Sequence, residues 1–326
     1  AVEFDTMFHD GRLEADPTRP SGIRTPLGRE MVEGFASVLS AQSMFPVLSP
    51  DEMAGHYSEN EVAQAVRRGF LTYDGGAWSI ISARVSAIPE YNKAFENIHG
   101  VGHKVTFTDI SDVIAEFIAF EWRADKSLFD LYLREGTALP SDGRAGMELF
   151  YGKAECSTCH AGQFQTDHGF HAIAMPQIGP GKAARFESHA RDEGRMRVTG
   201  NPEDAYKFRT PSLRNVAETA PYGHSGAYAT LKAVIEHHLD PQKALQNYDR
   251  SQLILPDLPN SKDFRVMSDP QELAAITAAN ELQPLKLASS EVDQIIAFLE
   301  TLSDKDSLTG RLGVPKQVPS GLPMDQ

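Results

Sequence analysis

The stretch "GKAECSTCHAGQF", residues 152–164, holds both cysteines of the 326-residue chain. Cys156-Ser157-Thr158-Cys159-His160 is a C-x-x-C-H pattern. Two thiols at this spacing can add to the two vinyl groups of one haem, and the adjacent imidazole then reaches the iron. A disulfide would leave His160 without a role. A zinc site needs two further ligands and usually a second cysteine pair. A thioredoxin-like dithiol needs a βαβ setting, which the pattern lacks. Haem c is the reading that uses Cys156, Cys159 and His160 together. Covalent haem places a protein outside the cytoplasm, in bacteria in the periplasm.

Working outward, "DGRAGMELFYGKA" reads as a helix running into the cysteines, with Gly146 and Phe150 four residues apart on it. Further helices are expected at "REMVEGFASVLSAQ", at "SENEVAQAVRRGF" behind a serine cap, at about residues 229–239 and at 289–302. In "TFTDISDVIAEFIAFEWR", Ile110, Val113, Ile114, Phe117 and Ile118 recur at intervals of 3 and 4, which predicts a buried helix. Glu52 is expected to open or precede a short helical stretch. Residues 12–28 and 161–210 are rich in Gly and Pro and read as loops. Strand alternation is scarce. The expected fold is mainly α: two cytochrome-c-like helical domains with long loops, divided near "LREGTALPSDG" into residues 1–140 and 141–326.

The hydrophobic content of 41% is enough for real cores, and no run of 18 apolar residues predicts a membrane span. A formal charge of −14 counts against nucleic acid or an anionic membrane surface as partner and would suit a basic protein. The chain opens "AVEFDTMFHDGR", without initiator methionine or signal-peptide pattern, so Ala1 reads as a processed, trimmed or incomplete start.

A haem c that carries electrons usually has a second axial ligand. In "TLKAVIEHHLD", Leu231, Val234, Ile235 and His238 share one helical face. A histidine on an apolar face needs a partner, because a buried unpaired imidazole is costly. Iron would be one such partner. A satisfied core or surface histidine is the other reading, and both stay open from these residues alone. His237 points elsewhere. Met175, in the loop after the motif, is an alternative ligand, although a loop methionine is more often packing.

"YKFRTPSLRNVAETAPYGHSGAYATLKAVIEHH", residues 206–238, resembles the C-terminal domain of bacterial di-haem cytochrome c peroxidases and MauG. "MFHDGR" resembles the family's F-W-D-G-R segment, and "AQSMFPVLSPDEMAG" its Q…P…EM segment. "FDLYL" and "GMELF" fit as well. The resemblance covers most of residues 5–302.

That resemblance implies several roles. His238 stands where the family has the distal ligand of the C-terminal haem, commonly Met in peroxidases and Tyr in MauG. Ligation by His160 and His238 is implied, with a reduction potential below that of a Met/His haem. Gln42 and Glu52 match the active-site Gln and Glu, where the Glu moves a proton between peroxide oxygens. Thr219 and Pro221 match positions that offer backbone carbonyls to a structural Ca²⁺, a hard cation suited to oxygen ligands. His9 stands where the family has a Trp between its haems. Imidazole is much harder to oxidise than indole, which puts that electron route in doubt. Trp78 and Trp122 read as packing.

The family carries two C-x-x-C-H motifs and this chain has one. The N-terminal domain is therefore expected to be incomplete, its haem motif lying on a missing N-terminal segment or on another polypeptide. The implied activity is reduction of hydrogen peroxide, with electrons entering the C-terminal haem from a small cytochrome c or a cupredoxin. Alternatives are a MauG-like enzyme that oxidises residues of a partner protein, and a mono-haem, bis-His electron-transfer subunit. A homodimer is a further expectation from the family.

Overall fold

A computed structural model describes residues 3–56, 59–181, 187–256, 258 and 260–324. It is mainly helical and divides into two compact units. Unit 1 comprises residues 1–7, 12–123 and 309–326, and unit 2 residues 8–11 and 124–308. Neither unit is one uninterrupted segment. By contacts the chain passes into unit 2 at Ala124, and residue 140 lies inside that unit.

In unit 1 a small antiparallel sheet is formed by β1 (Thr6–Met7), β2 (Leu13–Ala15) and β3 (Ile23–Arg24), with Met7 opposite Leu13 and Ala15 opposite Ile23. Five helices follow: α1 (Val38–Gln42), α2 (Glu61–Arg67), α3 (Ala77–Ser86), α4 (Pro89–His99) and α5 (Phe107–Glu121).

Three local expectations are corrected. The helix expected over "REMVEGFASVLSAQ" is α-helical only as α1, because Ser37 caps it by accepting from Ser40 N at 3.0 Å. Ahead of that cap, Gly34 sits at φ 111°, outside any helix. Helix α2 is capped by Asn60, whose side chain accepts from Ala63 N at 3.0 Å; the expected cap, Ser58, lies outside the described residues. Glu52 lies in a turn, not in a helix.

The largest departure is α5. It forms as a fifteen-residue helix with a full capping box from Thr106 and Asp109, but the expected apolar stripe faces outward. Phe107, Ser111 and Ala115 are buried, whereas Val113, Ile114 and Phe117 are exposed. The small residues let α5 approach α1, whose Ser40 and Ala41 are fully buried. Asp112 then ties the two, accepting from Ala36 N at 2.9 Å and from the Ser40 hydroxyl. Polar anchoring and small-residue packing outweighed the periodicity. Trp78 packs as expected, stacked on Phe107 at 4.8 Å and met edge-on by Phe35. Trp122 is half exposed against Phe117.

Unit 2 contains α6 (Leu128–Glu135), α7 (Ser141–Phe150), β4 (Phe170–His171), α8 (Met196–Thr199), β5 (Phe208–Arg209), α9 (Leu231–Leu239), α10 (Pro241–Gln246), α11 (Pro270–Ala279), α12 (Ser289–Glu300) and α13 (Lys305–Thr309). Strands β4 and β5 pair antiparallel. Helices α7 and α12 cross closely, and α9 packs on α12. Phe150, Ile295, Phe298 and Leu302 form the centre of this core, each at most 2% exposed. Long irregular segments link the helices, as the Gly and Pro content predicts.

Candidate functional site

Helix α7 leads directly to the cysteines. It ends at Phe150, with Tyr151 as its C-cap, and Glu155 takes a left-handed conformation at φ 55°. A 3-10 turn over Cys156–Thr158 follows. His160 N donates to Cys156 O at 3.0 Å and Asp167 N to Cys159 O at 2.8 Å, so the motif is a closed loop. Both thiols are free and half-buried. Burial pushes the Cys156 thiol up to about 11, and burial with Asp167 and Glu281 nearby raises Cys159. The pair is therefore held as neutral thiols, not as a reactive thiolate of a redox dithiol.

The His160 ring is oriented from behind. Its Nδ1–H donates to the carbonyl of Gln165 at 3.1 Å. That tautomer leaves Nε2 with the lone pair. Burial first, and then the neighbouring His238, lower its pKa to about 4, so the ring is neutral. His238, on α9, is built in the same way. Its Nδ1–H donates to Val234 O at 2.7 Å, and burial lowers its pKa. Both residues are half-buried. Two imidazoles tied through Nδ1 to backbone carbonyls, close enough that His238 lowers the pKa of His160, together with the thiols next to His160 in sequence, are the donor set a covalent haem takes. Apolar walls are at hand, because Cys156, Ile173, Val234 and Ile235 pack against the core built on Phe150 and Phe298.

His237 is satisfied internally. Its Nε2–H donates to Ile173 O at 2.7 Å, so its Nδ1 accepts from the Tyr228 hydroxyl at 2.8 Å. Burial lowers its pKa to about 3. Both ring nitrogens are thus used. Met175 is buried in the same core, beside Gly223.

The motif loop is stapled by the segment "TPSLRN". Arg214 donates to both oxygens of Asp130 at 2.9 Å and to Gln163 O at 2.7 Å. Ser212 Oγ donates to Phe164 O at 2.7 Å, and Thr166 Oγ1 to Thr210 O at 2.7 Å. These bonds fix the carbonyl on which His160 rests. Neither Arg214 nor Asp130 was singled out from sequence, since a salt-bridge partner 84 residues away leaves no local signal.

His9 makes a polar contact in place of an indole. Its Nε2–H donates to Asp192 at 2.9 Å, and its ring lies 5.9 Å from that of His224. His224 stacks on Phe208 at 3.7 Å. Hydrogen bonds from His9 and from Gly194 N overcome burial and hold Asp192 down at about 2.

Gln42 and Glu52 both lie in unit 1. Gln42 ends α1 and is half-buried; Glu52 is exposed. A run of turns joins them, with Phe45 N donating to Gln42 O and Glu52 N to Ser49 O. Thr219 and Pro221 are exposed in unit 2, just after the 3-10 turn Val216–Glu218.

The helical fold and the Cys-Cys-His site are similar to those of c-type cytochromes. Residues 1–138 match the family described as di-haem cytochrome c peroxidase. The chain is 29% identical to cytochrome-c peroxidase IdrP1 of Pseudomonas sp. (strain SCT), over 77% of this chain and 63% of the relative. It is 25% identical to methylamine utilization protein MauG of Methylorubrum extorquens, over 83% of this chain and 59% of the relative. Among solved structures it is similar to a MauG-like protein associated with microbial copper homeostasis. That match has 26% identity and a TM-score of 0.54, covering 84% of this chain and 71% of the other. By these matches the chain resembles di-haem cytochrome c peroxidases and MauG, the family model itself matching residues 1–138. It spans about 60% of the length of these curated relatives.

Proposed function

We propose that the chain is the peroxidase-like part of a periplasmic haem-c oxidoreductase. Cys156 and Cys159 would hold one haem c by thioether bonds, with His160 and His238 as the residues that would ligate its iron. The observation that carries this is the pair of imidazoles, each tied through Nδ1 to a backbone carbonyl and so presenting Nε2. When bound, the haem supplies an iron that accepts and returns one electron at a time. The protein holds both rings neutral and oriented, and surrounds the thiols with apolar walls.

Electrons would come from a small cytochrome c or cupredoxin, and hydrogen peroxide would take two electrons and two protons to give two waters. In unit 1, Glu52 would take a proton from one peroxide oxygen and deliver it to the other, with Gln42 orienting the peroxide. This role follows the family match and needs a second haem, on a preceding segment or another chain. Thr219 and Pro221 would offer carbonyls to Ca²⁺. No described helix is long and apolar enough to cross a membrane.

A second reading is oxidation of a partner protein's residues. The histidine at position 238 favours it, since MauG also lacks Met there, and so does the likeness to a MauG-like structure. The test is haem per chain on the natural protein, by pyridine haemochrome and intact mass, followed by peroxide turnover. Two haems and a large loss in Glu52→Gln would support the peroxidase. One haem with no companion polypeptide and no peroxide reaction would leave an electron carrier.

A further inference from the structure

Three groups of His, Cys, Asp or Glu side chains among the described residues converge closely enough to share an ion. The group Cys159, Asp167 and His171 includes a cysteine of the haem motif. Glu187, His189 and Glu193 have arginines on their carboxylates: Arg197 on Glu187, and Arg191 on Glu193 at 3.4 Å. Those charges are already compensated. The third group, His99, His103 and Asp109 in unit 1, carries no such cation.

His99 ends α4, and the chain reverses through Gly100 and Gly102 at φ 106° and 82°, conformations that suit glycine. The reversal brings His103 back over His99, with the rings stacked at 4.4 Å and 24°. His99 is itself stacked on the buried Phe95 at 6.4 Å and 14°. This aromatic column sets the direction of both imidazoles before any ligand arrives. Both turn Nε2 toward Asp109, at 2.8 Å from Oδ2 for His103 and 3.6 Å from Oδ1 for His99. Asp109 is fixed in turn by Thr106, whose backbone N–H and hydroxyl both donate to Oδ2 at 2.8 Å. Its Oδ1 is left facing His99.

We propose that His99, His103 and Asp109 form a binding site for one borderline divalent metal ion such as Zn²⁺. Both Nε2 atoms and Oδ1 of Asp109 are the protein ligands; His99 is exposed and the other two are half-buried. Ligand atoms around tetrahedral zinc lie about 3.3 Å apart, given metal–ligand distances of about 2.0–2.1 Å. The 3.6 Å separation of His99 and Asp109 is close to that, and the group falls within 4.8 Å. Imidazole and carboxylate donors together suit zinc better than the all-oxygen preference of Ca²⁺ or Mg²⁺. Binding moves the ring hydrogens to Nδ1, since the metal takes the nitrogen without one.

The test uses untagged, haem-loaded natural protein freed of metal with a chelator. It is titrated with Zn²⁺ by calorimetry, and the complex is read by zinc X-ray absorption. One ion bound per chain through two imidazoles is expected, with His99→Ala and His103→Ala each weakening it at least about tenfold. Binding of Mg²⁺ in preference to Zn²⁺, no zinc binding, or zinc binding unchanged in both variants would overturn the proposal. Should an alanine variant lose its fold, His99→Phe and His103→Phe keep the ring column and make the same distinction.

Discussion

A methyl group on Gly146 would lie 1.8 Å from the carbonyl oxygen of Gln294, so α7 and α12 touch backbone to backbone at that point. The crossing is possible only because residue 146 has no side chain. Gly146→Ala is expected to force the helices apart and to destabilise unit 2 by at least about 1–3 kcal/mol, the range for overpacking a core. Gly162→Ala is the control. It sits at φ 77° with nothing near its β position, so only backbone strain on the order of 1 kcal/mol is added. Thermal unfolding of both variants checks this; equal melting temperatures would refute the close-contact argument.

The pair Arg214–Asp130 should govern acid stability. Both side chains are largely buried, with 14% and 8% exposed. Removing one partner of a buried pair costs about 3–5 kcal/mol, which is the loss expected for Arg214→Ala. Arg214→Lys should recover little, because an ammonium cannot reach both Asp130 oxygens and the Gln163 carbonyl as the planar fork does. Burial pushes the Asp130 carboxyl up, but the hydrogen bonds from Arg214 and Ser127 outweigh it and hold it below its ordinary value. A depressed carboxylate contributes stability that is complete above its unfolded pKa of about 3.9 and lost as pH falls through the folded value. Denaturant midpoints between pH 6 and pH 2 should therefore show less acid loss in Arg214→Ala than in the parent.

The legible parts of the molecule were those with a local cause. The C-x-x-C-H motif, the helix running into it and helix α9 each follow from residues within one or two turns, and the structure has them where the sequence puts them. Helix α5 was legible in type but not in orientation. Its periodicity marks an apolar face, yet which face is buried depends on Asp112 reaching Ser40, 72 residues away. The same limit hid the stapling of the motif loop by Arg214 and the second anchor of His237 at Ile173. The helical face separates histidines 237 and 238 in sequence, but does not say what each ring nitrogen meets. Only the folded chain shows that one has both nitrogens occupied by protein groups.

That difference between neighbours gives a sharp pair of variants. His238→Ala should leave a haem bound through Cys156 and Cys159 attached, while changing the visible spectrum and the midpoint potential. His237→Phe should leave the spectrum nearly unchanged. It should cost stability of about 1–3 kcal/mol, since it strands the Ile173 carbonyl and the Tyr228 hydroxyl without a partner. Spectra and urea midpoints on the two proteins decide it. A spectral change in His237→Phe with none in His238→Ala would reverse the assignment of ligand and core residue.

His224 provides a stability change at mildly acidic pH. Its ring is stacked on Phe208, and its Nδ1 has no hydrogen-bond partner among the described residues. Burial lowers its pKa from 6.5 to about 4, with Asp192 opposing that shift and His9 adding to it. The unfolded chain therefore takes a proton as pH falls through about 6.5, while the folded chain does not until about 4. Stability from this group is complete above the upper value and declines between the two, by on the order of 3 kcal/mol. Asp192, held at about 2, acts in a separate and lower window, below its unfolded value. His224→Phe keeps the aromatic stack and removes the proton site. Its unfolding free energy should fall less steeply than the parent's from pH 6.5 to 4, with the two curves parallel again below. Parallel curves across the whole range would mean that His224 is not held neutral in the folded protein.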